Sequence, residues 1–248
     1  MSLLNEFSIQ LYSIREQTAQ DFPGSLKRLS EIGYTGVEFA GYGNLPADEM
    51  RRLLDGFGLK SVGTHAPLER LSANLDEELE YNHTLGTEYI IVPYSPIKSK
   101  DDTLRLAESM NDIGGKCLAA GFKFGYHNHD HEFLLDDAGG LCLLDILFDN
   151  LNSKFIMELD VFWAAAAKTD YPAYMKKHKD KLRLLHIKQI ECLDSKKCVD
   201  LDQGIIDYNE IIALGKELGV EHFILEQEEF PGDPFDSIKR NYDYIMGL

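Results

Sequence analysis

The chain alternates short apolar runs with longer segments in which apolar residues recur every three or four positions. One unit repeats: a leucine, a few residues, a glycine, then a strand-like run. It occurs as Leu29 to Gly33 before YTGVEF and Leu54 to Gly58 before LKSVGTH, and again at Gly86, Gly121 and Gly219. A glycine at that place reads as the left-handed cap that ends a helix and releases the chain into a buried strand. The pattern predicts strands at residues 7–12, 36–39, 60–65, 89–93, 122–127, 155–160, 182–188 and 220–227. Helices fit between them at 21–32, 46–57, 75–85, 100–120, 141–150, 172–178, 208–218 and 234–246. Pro46 opens one helix where its missing N–H costs little. Ser99, followed by Asp101 and Asp102, reads as the N-cap of the longest helix.

Strands alternating with amphipathic helices build βα units on a parallel sheet. Eight of each within 248 residues predict an α/β chain folded as a single (β/α)8 barrel over residues 1–248. An open doubly wound sheet would require a glycine-rich phosphate turn after the first strand. That turn reads LYSIREQTAQD and contains no glycine.

Composition narrows the function classes. No apolar run approaches the ~18 residues of a membrane span, so no membrane partner is expected. Met1 to Gln10 lacks the basic start of a signal peptide. The four cysteines, Cys117, Cys142, Cys192 and Cys198, form no CxxC pair and read as reduced thiols. A cytoplasmic protein is the expectation. With 25 basic and 42 acidic side chains the net charge is −17, which argues against a nucleic-acid partner.

Candidate chemistry gathers at the C-terminal ends of the predicted strands, where barrels of this type carry their reactive groups. The densest stretch is GYHNHDHEF at residues 125–133. Alternation sends His127 and His129 to one face and Asn128 to the other, with Glu132 just beyond. Other strand ends supply Gln10 and Tyr12, Glu38, His65, Glu158 and Asp160, His186 and Lys188, and Glu226 and Glu228. A charge inside a packed barrel is costly unless it is paired or metal-bound. Carboxylates and an imidazole arriving from separate strand ends suit a divalent metal such as Mn2+, with Mg2+, Co2+ or Zn2+ also compatible.

The ordered set QLYS at Gln10, THAP at His65, YHNHDHEF, ELDVFW, LHIK and ILEQE resembles the sugar phosphate isomerase/epimerase superfamily, the xylose isomerase-like TIM barrels. The resemblance covers essentially the whole chain. It implies a metal site at Glu132, Asp160, His186 and Glu226, with Glu132 and Glu226 as the catalytic acid/base pair. It also implies a substrate pocket lined by His65, His127, His129, Trp163 and Lys188. The implied activity is metal-dependent isomerisation or epimerisation of a small polyol, sugar or cyclitol through an enediolate. Trp163 and Cys192 stand where ketose 3-epimerases carry His and Arg, which argues against a free ketohexose. An inosose-dehydratase-like lyase fits His127, His129 and His186-Ile187-Lys188, although Gln189 replaces that branch's Asp. The rival classes are a non-catalytic sugar-binding barrel and a phosphodiesterase of the DNA-repair endonuclease type, the latter opposed by the acidity. A homodimer is compatible with the sequence.

Overall fold

The computed structural model describes residues 7–135 and 140–248. Eight parallel strands close into a cylinder: β1 (Phe7–Gln10), β2 (Gly36–Phe39), β3 (Lys60–His65), β4 (Tyr89–Val92), β5 (Lys123–His127), β6 (Ile156–Asp160), β7 (Leu182–Ile187) and β10 (His222–Leu225). The last of these lies between β7 and β1 and completes the ring. Between β7 and β10 the chain makes a small antiparallel hairpin, β8 (Gln189–Ile190) and β9 (Cys198–Val199).

The helices are α1 (Arg15–Gln20), α2 (Phe22–Ile32), α3 (Ala47–Phe57), α4 (Leu68–Leu85), α5 (Lys100–Ala119), α6 (Leu143–Asn150), α7 (Val161–Ala166), α8 (Tyr171–Lys177), α9 (Tyr208–Leu218) and α10 (Pro234–Met246). Their ends follow local chemistry. Ser99 accepts the Asp102 N–H at 3.2 Å and starts α5, and Gly58 and Gly219 end α3 and α9 at φ +68° and +83°, where a side chain would be strained. Among the described residues no helix is long and apolar enough to cross a membrane.

Strand alternation sorts the core into two apolar clusters. Met157, Leu159, Leu185 and Phe124 face outward and pack under the helices. Val62, Tyr89, Ile91, Ile156, Leu184 and Ile224 form a smaller plug inside the cylinder. Below that plug, Lys123 Nζ donates to Glu88 at 2.6 Å and Glu221 at 2.5 Å, and so ties the N-terminal mouth together. Above it the interior becomes polar.

Four details depart from the pattern read in the sequence. Helix α1 was not expected, because REQTAQ buries no residue and so shows no apolar face. Helix α7 begins directly at the end of β6, with no turn residues to announce it. Helix α4 starts at Leu68 and breaks its regular geometry at Asn74 (φ −140°, ψ 41°), so the expected 75–85 helix is its second part. His222, a histidine given no role from the sequence, sits on β10 with its ring edge-on to Tyr89.

Candidate active site

The polar interior has two storeys. The lower one is built from β1, β2, β3, β5, β6 and β7, whose inward positions carry Gln10, Glu38, His65, His127, Glu158 and His186. Glu158 Oε2 is hydrogen-bonded to His65 Nε2 at 2.7 Å and to His127 Nδ1 at 3.0 Å. Glu38 Oε2 accepts from Gln10 Nε2 at 2.8 Å and is bonded to His186 Nε2 at 2.9 Å. Both carboxylates are fully buried. Burial alone would raise their pKa values. The facing imidazoles outweigh it, holding Glu38 well below the carboxylate range and Glu158 at about 2. Burial works against protonation of His65, but Glu38 and Glu158 push it up to about 10, while burial and His186 push His127 well down.

These bonds turn the two imidazoles shared with the upper storey. His127 gives Nδ1 to Glu158, which leaves Nε2 toward Asp160 Oδ2, 4.0 Å away. His186 gives Nε2 to Glu38, which leaves Nδ1 against Glu226 Oε2 at 2.9 Å. Carboxylates that fix a ring in this way set both its orientation and its tautomer.

Asp160 ends β6 and caps α7: its Oδ1 accepts the backbone N–H groups of Phe162 at 2.8 Å and Trp163 at 3.3 Å. Its Oδ2 is buried and has no hydrogen-bond partner. Such an atom is costly unless something positive stands before it. Ligand atoms from His127, Asp160, His186 and Glu226 all lie within 4.8 Å of one another. Metal–ligand bonds of about 2.1 Å would set such atoms roughly 3.4 Å apart, within the spread seen here. The donor set therefore fits a divalent cation. Burial lifts Asp160 to about 7, with Glu226 adding and Lys188 opposing. Glu226 goes the other way, since Lys188 and His186 outweigh burial and hold it well below its ordinary value. Glu38, His65 and Glu158 gave no ligand role in the sequence reading, yet His65 and Glu158 join His127 and His186 in a second, deeper group of this kind. Two-residue alternation along β2 and β6 is the signal that marks Glu38 and Glu158.

Above the cluster opens a cavity of about 620 Å³ lined by His65, His127, His129, Trp163, Glu226 and Glu228, among others. Four of the five expected substrate-binding residues are thus on its wall. Lys188, the fifth, is 1 % exposed. Its ammonium pairs with Glu228, lies 3.9 Å from Glu226 Oε2 and sits 4.8 Å from the Trp163 ring centre. It braces the wall from behind.

Glu132 is not in either ligand group. The chain turns at His131–Phe133 and tucks this carboxylate, fully buried, against β5. There Oε1 accepts from the Tyr126 hydroxyl at 2.7 Å and Oε2 from the His129 N–H at 2.8 Å. His127 stands in the group where the sequence resemblance had placed Glu132. Burial raises the Glu132 pKa against the pull of His131, Tyr126 and the backbone.

A closed parallel barrel with a carboxylate–imidazole cluster at its C-terminal mouth defines a broad class of (β/α)8 proteins. Residues 26–245 match the xylose isomerase-like TIM barrel family, and the chain belongs to it. No curated protein matches the chain. A sugar phosphate isomerase/epimerase from Parabacteroides distasonis is similar in structure, with a TM-score of 0.87, 22 % identity and 98 % of each chain covered. A probable 3-DHS dehydratase from Bacillus anthracis has a TM-score of 0.76 at 15 % identity, covering 97 % of this chain and 98 % of its own. The 3-keto-D-glucoside 4-epimerase from E. coli has a TM-score of 0.71 at 16 % identity, covering 98 % and 99 %. At these identities the likeness is one of fold.

Proposed function

We propose that the protein is a divalent-metal-dependent isomerase or epimerase of a small sugar or cyclitol, acting by proton abstraction next to a carbonyl. The observation that carries this reading is the buried, unpartnered Asp160 Oδ2 beside Glu226 and two oriented imidazoles. Membership of the family supports it. His127, Asp160, His186 and Glu226 would hold the cation, with Mn2+ the first candidate. When bound, the cation supplies Lewis-acid polarisation of the carbonyl and its neighbouring hydroxyl.

The proton work falls to this chain's own side chains. Glu226 is kept ionised by Lys188 and His186, and its Oε2 is engaged by His186, so Oε1 takes the proton from carbon. Glu132 is pushed by burial toward its neutral form, the state from which a carboxyl group donates. Groups whose surroundings drive their pKa values apart divide into base and acid. In this reading Glu132 exchanges its Tyr126 contact for the substrate and returns a proton to the opposite face or to the neighbouring carbon. His129, lowered to about 4 mainly by burial, stays neutral on the cavity wall and hydrogen-bonds a hydroxyl. Trp163 offers an apolar face to the carbon skeleton. Glu226→Gln is expected to abolish solvent deuterium exchange into substrate while circular dichroism stays native. Undiminished exchange would reject Glu226 as the base.

A further inference from the structure

A second chamber of about 660 Å³ adjoins the first. It is lined by residues 41–47 after β2 and by α4 from Arg70 to Tyr81, and the two chambers share Gly41, His65 and Pro67 as walls. Gly41 adopts φ +87°, and a Cβ built there meets nothing within 4 Å, so the space beside this shared wall is open. Ligand pockets usually hold about 300–1,000 Å³, so each chamber alone accommodates a small molecule. A substrate confined to the cluster would leave the second chamber to water.

Its walls are ordered from behind. The Tyr42 hydroxyl bonds Thr64 Oγ1 at 3.0 Å, accepts from Asn82 Nδ2 at 2.9 Å and donates to Glu78. Glu78, itself buried, also holds Arg70 through Nε. Arg70 is therefore charge-compensated while still partly exposed, and it faces a chamber also lined by Glu77 and Asn44. Such a wall offers N–H donors and carboxylate or amide acceptors side by side, the pairing that neutral hydroxyls need. It suits a phosphate poorly. Among the described lining residues of this chamber Arg70 is the one Lys or Arg, against Glu77 and Glu78. The first chamber's described lining has no Lys or Arg and carries Glu226 and Glu228. In the first chamber Lys188 and the proposed cation offset those carboxylates, but a phosphate on the unit in the second chamber would meet Glu77 and Glu78 with Arg70 already paired, and lack the basic clamp that phosphate recognition uses.

Building on the function proposed above, we infer that the substrate is an uncharged two-unit saccharide or glycoside: the reacting ring lies over Glu226, and the second unit fills the chamber between the 41–47 loop and α4. The test is calorimetry in the presence of Mn2+, with glucose, galactose, cellobiose, maltose, lactose and glucose 6-phosphate as probes. At least one disaccharide should bind about tenfold tighter than its component monosaccharide, as two or three added hydrogen bonds provide, and tighter than glucose 6-phosphate. Ala47→Trp, which places an indole in the second chamber, should bring the disaccharide-to-monosaccharide ratio to about one. Glu77→Ala, on the exposed face of α4, should reduce it less and guards against a misfolded Trp variant. Equal affinity for one and two units, tighter binding of the phosphate, no binding by any probe, or a ratio untouched by either variant overturns the inference. Deuterium exchange into the same sugars separates the two readings. Exchange without a disaccharide preference sinks only the second chamber, and a preference without exchange sinks only the catalytic role.

Discussion

Replacing Glu158 by Gln keeps the volume of the side chain and removes its charge. In the native layer one oxygen, Oε2, serves His65 at 2.7 Å and His127 at 3.0 Å, with His186 Nε2 at 3.3 Å. A hydrogen bond to a charged group contributes about 1.5–3 kcal/mol and a neutral one about 0.5–1.5 kcal/mol. Loss of the charged component from two bonds therefore costs about 2–3 kcal/mol. For a chain of this size that is a fall in Tm of roughly 5–10 °C. The same carboxylate sets which nitrogen His127 turns toward Asp160, and loss of such an outer partner weakens metal binding about 10–100-fold. Thermal unfolding followed by circular dichroism measures the first effect, and titration with Co2+ followed by its visible absorption measures the second. A Tm drop below about 2 °C with unchanged Co2+ affinity would refute the argument that this layer orients the imidazoles above it.

Two further changes probe the frame that carries the site. A Cβ on Gly125 would stand 2.4 Å from the Ile156 carbonyl oxygen on the neighbouring strand, so Gly125→Ala should destabilise by about 1–3 kcal/mol in urea unfolding, and an unchanged midpoint would contradict the close approach of β5 to β6. Asp145 on α6 is favoured toward its neutral form by burial but held well below its ordinary pKa by bonds from His178, Lys177 and Cys142. A depressed carboxylate pKa gives stability that is present above the unfolded-state value of about 4 and is lost as pH falls through the folded value. The Tm gap between native protein and Asp145→Asn should therefore be present at pH 7 and close progressively below about pH 4. A gap that persists to the lowest pH would mean that the carboxylate's charge is not what these bonds use.

The barrel was legible because its signals are local and periodic. Glycine caps, the Ser99 cap and two-residue alternation place the eight strands within a residue or two of where they lie, and β2 and β3 at their observed bounds. The elements that escaped have no such signal. Helix α1 is polar all round, and the β8–β9 hairpin has strands of only two residues each. In the site, alternation along β6, β7 and β10 brings Asp160, His186 and Glu226 to one place. The same rule, carried back along β10 from Glu226 through Ile224, would have put His222 inside the cylinder. The position of Glu132 lay beyond any such rule. It depends on the His131–Phe133 turn and on the Tyr126 hydroxyl, a contact made across the irregular residues 128–130. The two carboxylates of the lower storey escaped a role for a different reason. Glu38 and Glu158 act on histidines from other strands, and pairings across a barrel are set by register.

The proposed chemistry requires a cation held at the mouth of the barrel by His127, Asp160, His186 and Glu226. Anomalous diffraction from crystals grown with Mn2+ tests this most directly, because it locates the ion without reference to activity. The expected result is an anomalous peak within bonding distance of Asp160 Oδ2 and Glu226, with imidazole nitrogen of His186 and His127 completing the set. At saturating Mn2+, a map with no peak beside Asp160 Oδ2, or with the ion bound only at other residues, would contradict it.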